Sequence, residues 1–414
     1  MEIKEDIVIV GAGIAGLTTS LGLWRLGLRC LVLESSDSLR TTGFALTLWT
    51  NAWRALDAVG IADSLRPHSL QIRGFRVAST ESGLPTSELL LETNGKHGDY
   101  ESRCVRRKDL LEVLEKELPQ GTIRYSSKVV SIEESGHFKL VHLADGSIIR
   151  TKVLIGCDGV NSLVAKWLGL HKPVNVRRSA IRGLVDFPDG HGFEPMFYVF
   201  FGGGVRYGFL PVSEKSLYWF CTFSSSVVQY GEGMEESPLK MKQFVLSRIG
   251  NVPKEAFGVV ERTELEYISC APLKMRPPWN VLLGNIAKHN VCVAGDALHP
   301  MTPDLGQGGC SALEDSVILA RCLAETFSTK PRGEIRDEEN EEEEYERINK
   351  GLMKYMKERR WRSFSLISTA YVVGFIQESA GMVMKFLREK LFSKYTAGTM
   401  LRMADFDCGK LNFA

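Results

Sequence analysis

Asp6-Ile7-Val8-Ile9-Val10-Gly11-Ala12-Gly13-Ile14-Ala15-Gly16 is the stretch that decides the fold. Ile7 to Val10 form an unbroken β-branched run, the pattern of a strand buried on both faces. Gly11 to Gly16 fit G-x-G-x-x-G, and Leu17 to Leu26 carry apolar residues at helical spacing. Leu31-Val32-Leu33-Glu34 reads as a second buried strand and completes a βαβ unit. In such a unit Gly11 permits the tight turn, Gly13 lets a pyrophosphate approach the backbone, and Gly16 lets helix and strand pack closely, with Ile14 and Ala15 opening the helix. Glu34 ends the second strand, where a carboxylate accepts both ribose hydroxyls and repels a 2′-phosphate. The fingerprint alone therefore leaves NAD and FAD open.

A distant segment narrows this choice. Val293-Ala294-Gly295-Asp296-Ala297-Leu298-His299-Pro300 ends a strand, and Gly306-Gln307-Gly308-Gly309, just beyond Pro303, opens a helix. Asp296 offers a carboxylate to a sugar hydroxyl. Gly306, Gly308 and Gly309 let the backbone pass close to a flat ring, where helix N-terminal N–H groups can stabilise negative charge. Together the two segments point to a flavin. Arg107 starts an amphipathic helix, where a cation opposes the macrodipole, so it is expected to face an anion such as pyrophosphate, with Arg103 and Arg106 as neighbouring alternatives. Arg40 stands in a loop after Glu34 and reads either as a partner for phosphate or substrate charge or as a solvated cation. Asp158-Gly159 follows a buried strand and reads either as a cofactor ligand or as a plain turn. His299, beside Pro300, reads as a residue that fixes the loop. No zinc spacing, GxSxG or HExxH occurs, so no metal site is expected.

The 414 residues are 44% hydrophobic and 24% charged with a net charge of +1, an ordinary globular composition that gives no reason to expect nucleic acid. The nine cysteines are scattered and never spaced as CxxC, so a disulfide framework is not expected. No run of apolar residues is long enough for a transmembrane helix. The first strand begins at about Glu5 with no signal or transit segment before it, so the cytoplasm is the expected compartment, or a plastid if the chain has been trimmed.

Farther along, strands are expected at 122–125, 129–132, 139–143, 148–150 and 153–156, with a hairpin turn at Ala144-Asp145-Gly146. From about Ile181 to Leu273 the texture becomes antiparallel, with aromatic-rich strands at 196–201, 206–212, 217–222 and 259–267, joined by part of Leu70–Leu91. Asp337 to Glu346 reads as a solvated loop and helix start, and 348–356 and 364–392 as helix. The fold class is α/β. A Rossmann-like, glutathione-reductase-like domain is expected over 1–69, 100–180 and 281–330. An inserted antiparallel β-sheet substrate domain covers 70–99 and 181–280, and C-terminal helices fill 331–414.

The order of G-x-G-x-x-G, Arg107-Lys108-Asp109-Leu110, Asp158-Gly159, and Gly295-Asp296 with the Gly306-Gln307-Gly308-Gly309 loop resembles the class A flavoprotein monooxygenases, which share the fold of para-hydroxybenzoate hydroxylase. Met301-x-Pro303 and Glu314-Asp315-Ser316 are most similar to the zeaxanthin epoxidases and the plant monooxygenase 1-like proteins. The resemblance implies tightly but non-covalently bound FAD, with NADPH or NADH as a transient co-substrate. It implies O2 activation through a flavin C4a-hydroperoxide and oxygen transfer to a small molecule. It also implies that Gly11, Gly13, Ala15 and Glu34 hold the ADP half, with Val129 near the adenine, and that Arg107 and Asp296 hold the pyrophosphate and ribityl region. In the family the Asp-Gly motif continues Ser-x-Val-Arg, whereas here it reads Ser162-Leu163-Val164-Ala165-Lys166, which leaves the choice of nicotinamide open.

The resemblance places a small apolar or aromatic substrate between flavin and inserted sheet, with Tyr198, Phe201, Arg206, Trp219 and the loop residue Arg40 as pocket candidates. Since strand residues alternate between faces, about half of the aromatic residues are expected there. The apolar C-terminal stretch 361–392 reads as a helix packed on the active-site domain, or at most as a peripheral membrane face. Rival functions are a flavin reductase or dehydrogenase without oxygen transfer, and a non-catalytic module resembling the Rab GDP-dissociation inhibitors.

Overall fold

A computed structural model describes residues 2–41, 43–91, 98–202, 204–224, 237–327, 341–378 and 393–412. The opening stretch forms strand β1 (Glu2–Val10) and helix α1 (Ile14–Arg25), and β2 (Leu31–Leu33) returns beside β1 in parallel. β1 also pairs in parallel with β10 (Ile148–Gly156), so its C-terminal end is the point where the strand order diverges. Ligands bind at such a switch point in open α/β sheets. The remaining strands of this sheet are β7 (Ile123–Arg124), β8 (Val129–Ser135), β9 (Phe138–Leu143), β16 (Ala287–Lys288) and β17 (Val291–Val293). The expected strands at 148–150 and 153–156 are one continuous strand. Its first half alternates in burial, and its second half is covered on both faces.

A second sheet has the order β15-β11-β14-β13-β12-β4-β5. It is built from β4 (Gly74–Ser79), β5 (Pro85–Leu90), β11 (Val174–Asp186), β12 (Met196–Gly202), β13 (Val205–Ser213), β14 (Ser216–Ser224) and β15 (Ile268–Met275). It is mixed, not purely antiparallel, because β12 and β4 run parallel. The segment expected as a strand over 259–267 is instead the end of helix α7 (Lys254–Glu261) followed by a 3-10 turn at Leu265–Tyr267. Ala256, Val259 and Val260 are its buried residues, spaced i, i+3, i+4, so a helical period was present in an apparently β-branched run. The two strands β3 (Ala45–Leu48) and β6 (Arg103–Arg106) pair separately.

Alternation gives the second sheet two different faces. Val205, Tyr207, Phe209, Trp219, Cys221 and Phe223 pack under α6 (Pro238–Arg248) and α7 as one apolar cluster. Phe197, Leu210 and Tyr218 point the other way and join the core of the first sheet. Helices α2 (Thr50–Val59), α3 (Ala62–Leu65), α4 (Arg107–Lys116), α5 (Leu163–Trp167) and α8 (Pro278–Leu283) surround that core. Helix α9 (Gly308–Phe327), buried along most of its length, lies against α1 and α2, and helix α10 (Glu341–Glu378) runs across it. Of the acidic run, 341–346 begin α10, and 337–340 lie outside the described residues. Helix α11 (Ser393–Ala404) follows, and Met382, Val383, Phe386 and Leu387 also lie outside the described residues.

Candidate active site

The turn after β1 is constrained by contact. Gly11 has φ +101°, and a Cβ there would run into the Cys157 carbonyl, so this position requires glycine. A Cβ at Gly16 would strike the Gly11 carbonyl. Gly13 differs, because a Cβ there would meet nothing within 4 Å, and its backbone borders a cavity.

Glu34 is 6% exposed, with one oxygen accepting from the Ala12 N–H at 2.9 Å and the other from the Ser36 N–H at 2.9 Å. Burial works to raise its pKa, but these N–H groups outweigh it, so the carboxyl titrates below the ordinary glutamate range. Arg40 lies 3.4 Å from Glu34 with a largely exposed side chain, at the acid's end of the site and not among the pocket-lining residues. Ser127 N–H donates to the Glu34 carbonyl at 2.7 Å, which brings neighbouring Val129 to the same edge. The Asp158 carboxylate is used locally. It accepts from the Ser162 hydroxyl and from the N–H groups of Leu163 (2.7 Å) and Val164 (3.3 Å), capping α5, while Gly159 borders the cavity. Ala165 is buried in α5, so the position where the family carries arginine presents no side chain to solvent.

The second segment folds onto the first. Gly295 has φ +61°, its Cβ position would crowd the Ala15 side chain, and its N–H donates to Asp315 at 2.7 Å. His299 is fully buried with Nε2 2.6 Å from the same Asp315 carboxylate, so it fixes the loop. Arg276 adds hydrogen bonds to the Ala297 and Leu298 carbonyls, both 2.9 Å. This frame presents Asp296 to the cavity. Asp296 is flanked by buried residues on both sides, yet it is itself exposed and opens onto that hollow. Burial raises its pKa, and His299, Arg107 and Arg182 pull the other way. Arg107, the first residue of α4, lines the same cavity. Its Nε is buried without a hydrogen-bond partner among the described residues. Burial lowers its pKa and Asp296 opposes that.

The cavity has a volume of about 380 Å3. Gly13, Ile14, Ala15, Arg107, Asp296, Pro303, Gly306, Gly308, Gly309 and Arg206 all border it, so most of the expected residues converge. Gly306 has φ +62°, and Gly308 and Gly309 begin α9, whose first N–H groups have no partners within the helix. Trp49 Nε1 is a second buried donor left without a partner among the described residues.

On the sheet side, several candidates are displaced. Trp219 belongs to the opposite face, where Nε1 donates to Thr263 at 2.8 Å. Tyr198 stacks on Phe209 with centroids 4.7 Å apart, again on the far face. Phe201 stands beside Arg206 and does not line the cavity. The strand neighbours of Trp219 and Tyr198 take the role: Phe197, Tyr218 and Phe220 line the cavity, as do Thr222, Trp49, Arg182 and Asp304. Alternation implied that about half would do so, but nothing local in the sequence tells which parity faces inward. Arg178 grips Asp304 with two bonds of 2.7 and 2.9 Å, and Arg206 adds a third at 3.1 Å. No group of three or more His, Cys, Asp or Glu side chains among the described residues is placed to hold a metal ion.

An open backbone at Gly13, the opposite charges of Arg107 and Asp296 facing the hollow, and free helix N–H groups suit a dinucleotide carrying a flat, reducible ring. The sequence model of a family described as FAD binding domain matches residues 4–344. The chain is 53% identical to Monooxygenase 2 of Arabidopsis thaliana over 99% of this chain and 98% of that protein. This chain belongs to the FAD-dependent monooxygenases. Monooxygenase 1 of the same plant is 34% identical to this flavoprotein, over 98% of this chain and 99% of that one. The fold is shared with Klebsiella pneumoniae HpxO complexed with FAD and uric acid, at a TM-score of 0.81, 22% identity and 98% coverage of both chains. FAD binding is thus a property of the family to which this monooxygenase belongs. Among the described residues no helix is long and apolar enough to cross a membrane.

Proposed function

We propose that the protein uses NADPH or NADH and O2 to hydroxylate or epoxidise a small apolar or aromatic compound held between FAD and the inner face of the second sheet. One observation carries this reading. The N-terminus of α9, the side chains of Asp296 and Arg107 and an aromatic sheet face all open onto a single cavity. FAD, when bound, supplies a ring that accepts electrons from the nicotinamide and activates O2. The residues have distinct tasks. Glu34 accepts the ribose hydroxyls with both oxygens already oriented by backbone N–H groups. Asp296 holds a ribityl hydroxyl, and Arg107 answers the pyrophosphate. The N–H groups of Gly308 and Gly309 stabilise negative charge at the ring edge without reorganising. Phe197, Tyr218 and Phe220 keep bulk water from the reacting atoms. A small-molecule substrate accords with the uric acid in the HpxO complex.

The test is a screen of candidate compounds for stimulated NADPH and NADH oxidation by the FAD-loaded protein, with 18O2 and mass analysis of products. Incorporation of one labelled oxygen atom is the expected result. Oxidation that yields only hydrogen peroxide with every compound would favour an oxidase or reductase and overturn the proposal.

A further inference from the structure

Helix α10 carries apolar residues on two sides. Leu366, Ile367, Ala370 and Val373 turn inward and are buried, and a Cβ at Gly374 would run into the Asp304 carboxylate that borders the cavity. Trp361, Phe364, Tyr371 and Val372 recur at helical spacing on the outer side, a stripe roughly 16 Å long. Trp361 is 64% exposed, and Tyr371 and Val372 are exposed as well.

Helix α8 widens this stripe. Trp279 meets Phe364 with ring centroids 5.5 Å apart, and Phe364 meets Trp361 edge-on at 5.6 Å. The Arg360 guanidinium donates to the Val281 and Leu282 carbonyls, which fixes α8 against α10. Trp279 is 63% exposed and Leu283 81%, so two tryptophans and a leucine stand in solvent on adjoining helices. The start of β11 joins them, because Leu170 lies against Gly284 and the exposed Val174 pairs with Met275. Single exposed apolar residues are ordinary, whereas a contiguous aromatic patch marks a binding surface.

The charge around the patch has one sign. The stretches that build it, 159–185, 267–295 and 359–377, contain no acidic residue. Lys172, and Lys357 one turn before Trp361, are exposed at its margin. The neighbouring Glu358 is held by Arg321 at 2.8 Å. In sequence, 379–394 add Lys385, Arg388, Lys390 and Lys394 against Glu389 alone. A second copy of this chain fits poorly, since a two-fold contact would set these like charges around one another. An anionic bilayer answers both features, because tryptophan rings settle at headgroup level and cations meet the lipid phosphates.

We propose that the α8–α10 face docks the protein on an anionic phospholipid surface, with Trp279, Leu283 and Trp361 entering the headgroup boundary and Lys172 and Lys357 meeting phosphate. The contact is peripheral, made by the outer side of helices whose inner side is packed. It sets the bilayer and the Asp304 wall of the cavity on opposite sides of the same helix.

The test is flotation of the FAD-loaded protein with phosphatidylcholine vesicles, with and without about 30% phosphatidylserine. Anionic vesicles should carry about tenfold more protein than neutral ones, and raising salt to about 0.5 M should weaken that binding severalfold. The double variant Trp279→Ser/Trp361→Ser should bind about tenfold less at wild-type Tm and FAD content. Leu283→Asp, at the most exposed position, should give the same loss and decides the matter if the double variant misfolds. No binding to anionic vesicles, equal binding to both kinds, or binding that survives these variants would each overturn the proposal. Sedimentation velocity without lipid supplies a further check: a dimer that Leu283→Asp dissociates, with no vesicle binding, would give the face to a second copy instead. Flotation needs neither nicotinamide nor substrate, so its outcome is independent of the oxygen-transfer test.

Discussion

Asp296 and Glu34 are both carboxylates at strand ends, yet the structure handles them differently. Asp296 faces the hollow with Arg107 opposite, whereas Glu34 is locked by the N–H groups of Ala12 and Ser36. Replacing Asp296 with Ala should raise the FAD dissociation constant about 10- to 100-fold, the loss of a hydrogen bond to a charged group worth about 1.5–3 kcal/mol. Flavin absorbance after desalting measures it, and wild-type retention would refute the role. Glu34 makes a pH prediction. Its folded-state carboxyl titrates below the ordinary value of 4.5, so its contribution to stability is complete above that pH and fades as pH falls through the folded value. The Tm gap between wild type and Glu34→Gln should therefore be largest near neutrality and shrink below pH 4.5. A gap constant across that range would rule out the ionised carboxylate as its source. Both residues were legible in the sequence because strand, tight turn and acid are a local arrangement. Tyr198 and Trp219 were not, since their facing depends on what packs on each side of a sheet.

Helices α9 and α10 show how elements far apart in sequence build one site. Arg359 of α10 is fully buried. It hydrogen-bonds Asp315 at 2.5 Å and forms an ion pair with Glu314 at 2.7 Å, while Arg362 hydrogen-bonds Glu314 at 2.7 Å. Asp315 in turn holds the Gly295 N–H and His299, so α10 braces the turn that presents Asp296. Arg359 and Arg362 lie beyond residue 344, where the family match ends. Arg359→Met leaves two buried carboxylates short of a partner and should cost about 3–5 kcal/mol in chemical denaturation. Pairing it with Asp315→Asn should recover part of that loss. A single-variant cost below about 1 kcal/mol would show that the network does not hold the helices together. Gly183 offers a second check on elements. A Cβ there would overlap the Trp219 ring, so Gly183→Ala should destabilise by about 1–3 kcal/mol, read as a lowered denaturation midpoint. Helix α7 marks the limit of element-level reading. Its Val259-Val260 pair looked like strand texture, and only packing against the second sheet shows the helical period.

For the whole molecule, the cavity lies where the two sheets share a core, with Phe197, Leu210 and Tyr218 joined to the cluster built on β1, β10 and α9. FAD binding should therefore stabilise both sheets together. At a free concentration roughly one hundred times Kd the gain is about 2.7 kcal/mol, and it should appear as an upward shift of one thermal transition. Two transitions, only one of which moves with FAD, would show that the sheets unfold independently. The sequence by itself determined the βαβ unit, the glycine turns at Gly11 and Gly306, and the acids Glu34 and Asp296. Each of these is dictated by backbone sterics and short-range hydrogen bonding over a few consecutive residues. Only the tertiary structure decided which strand face lines the cavity, that Asp158 caps a helix, and that Arg206 is held by Asp304 while Arg182 is left open to the hollow. Those outcomes depend on long-range packing and charge pairing, which no local pattern encodes.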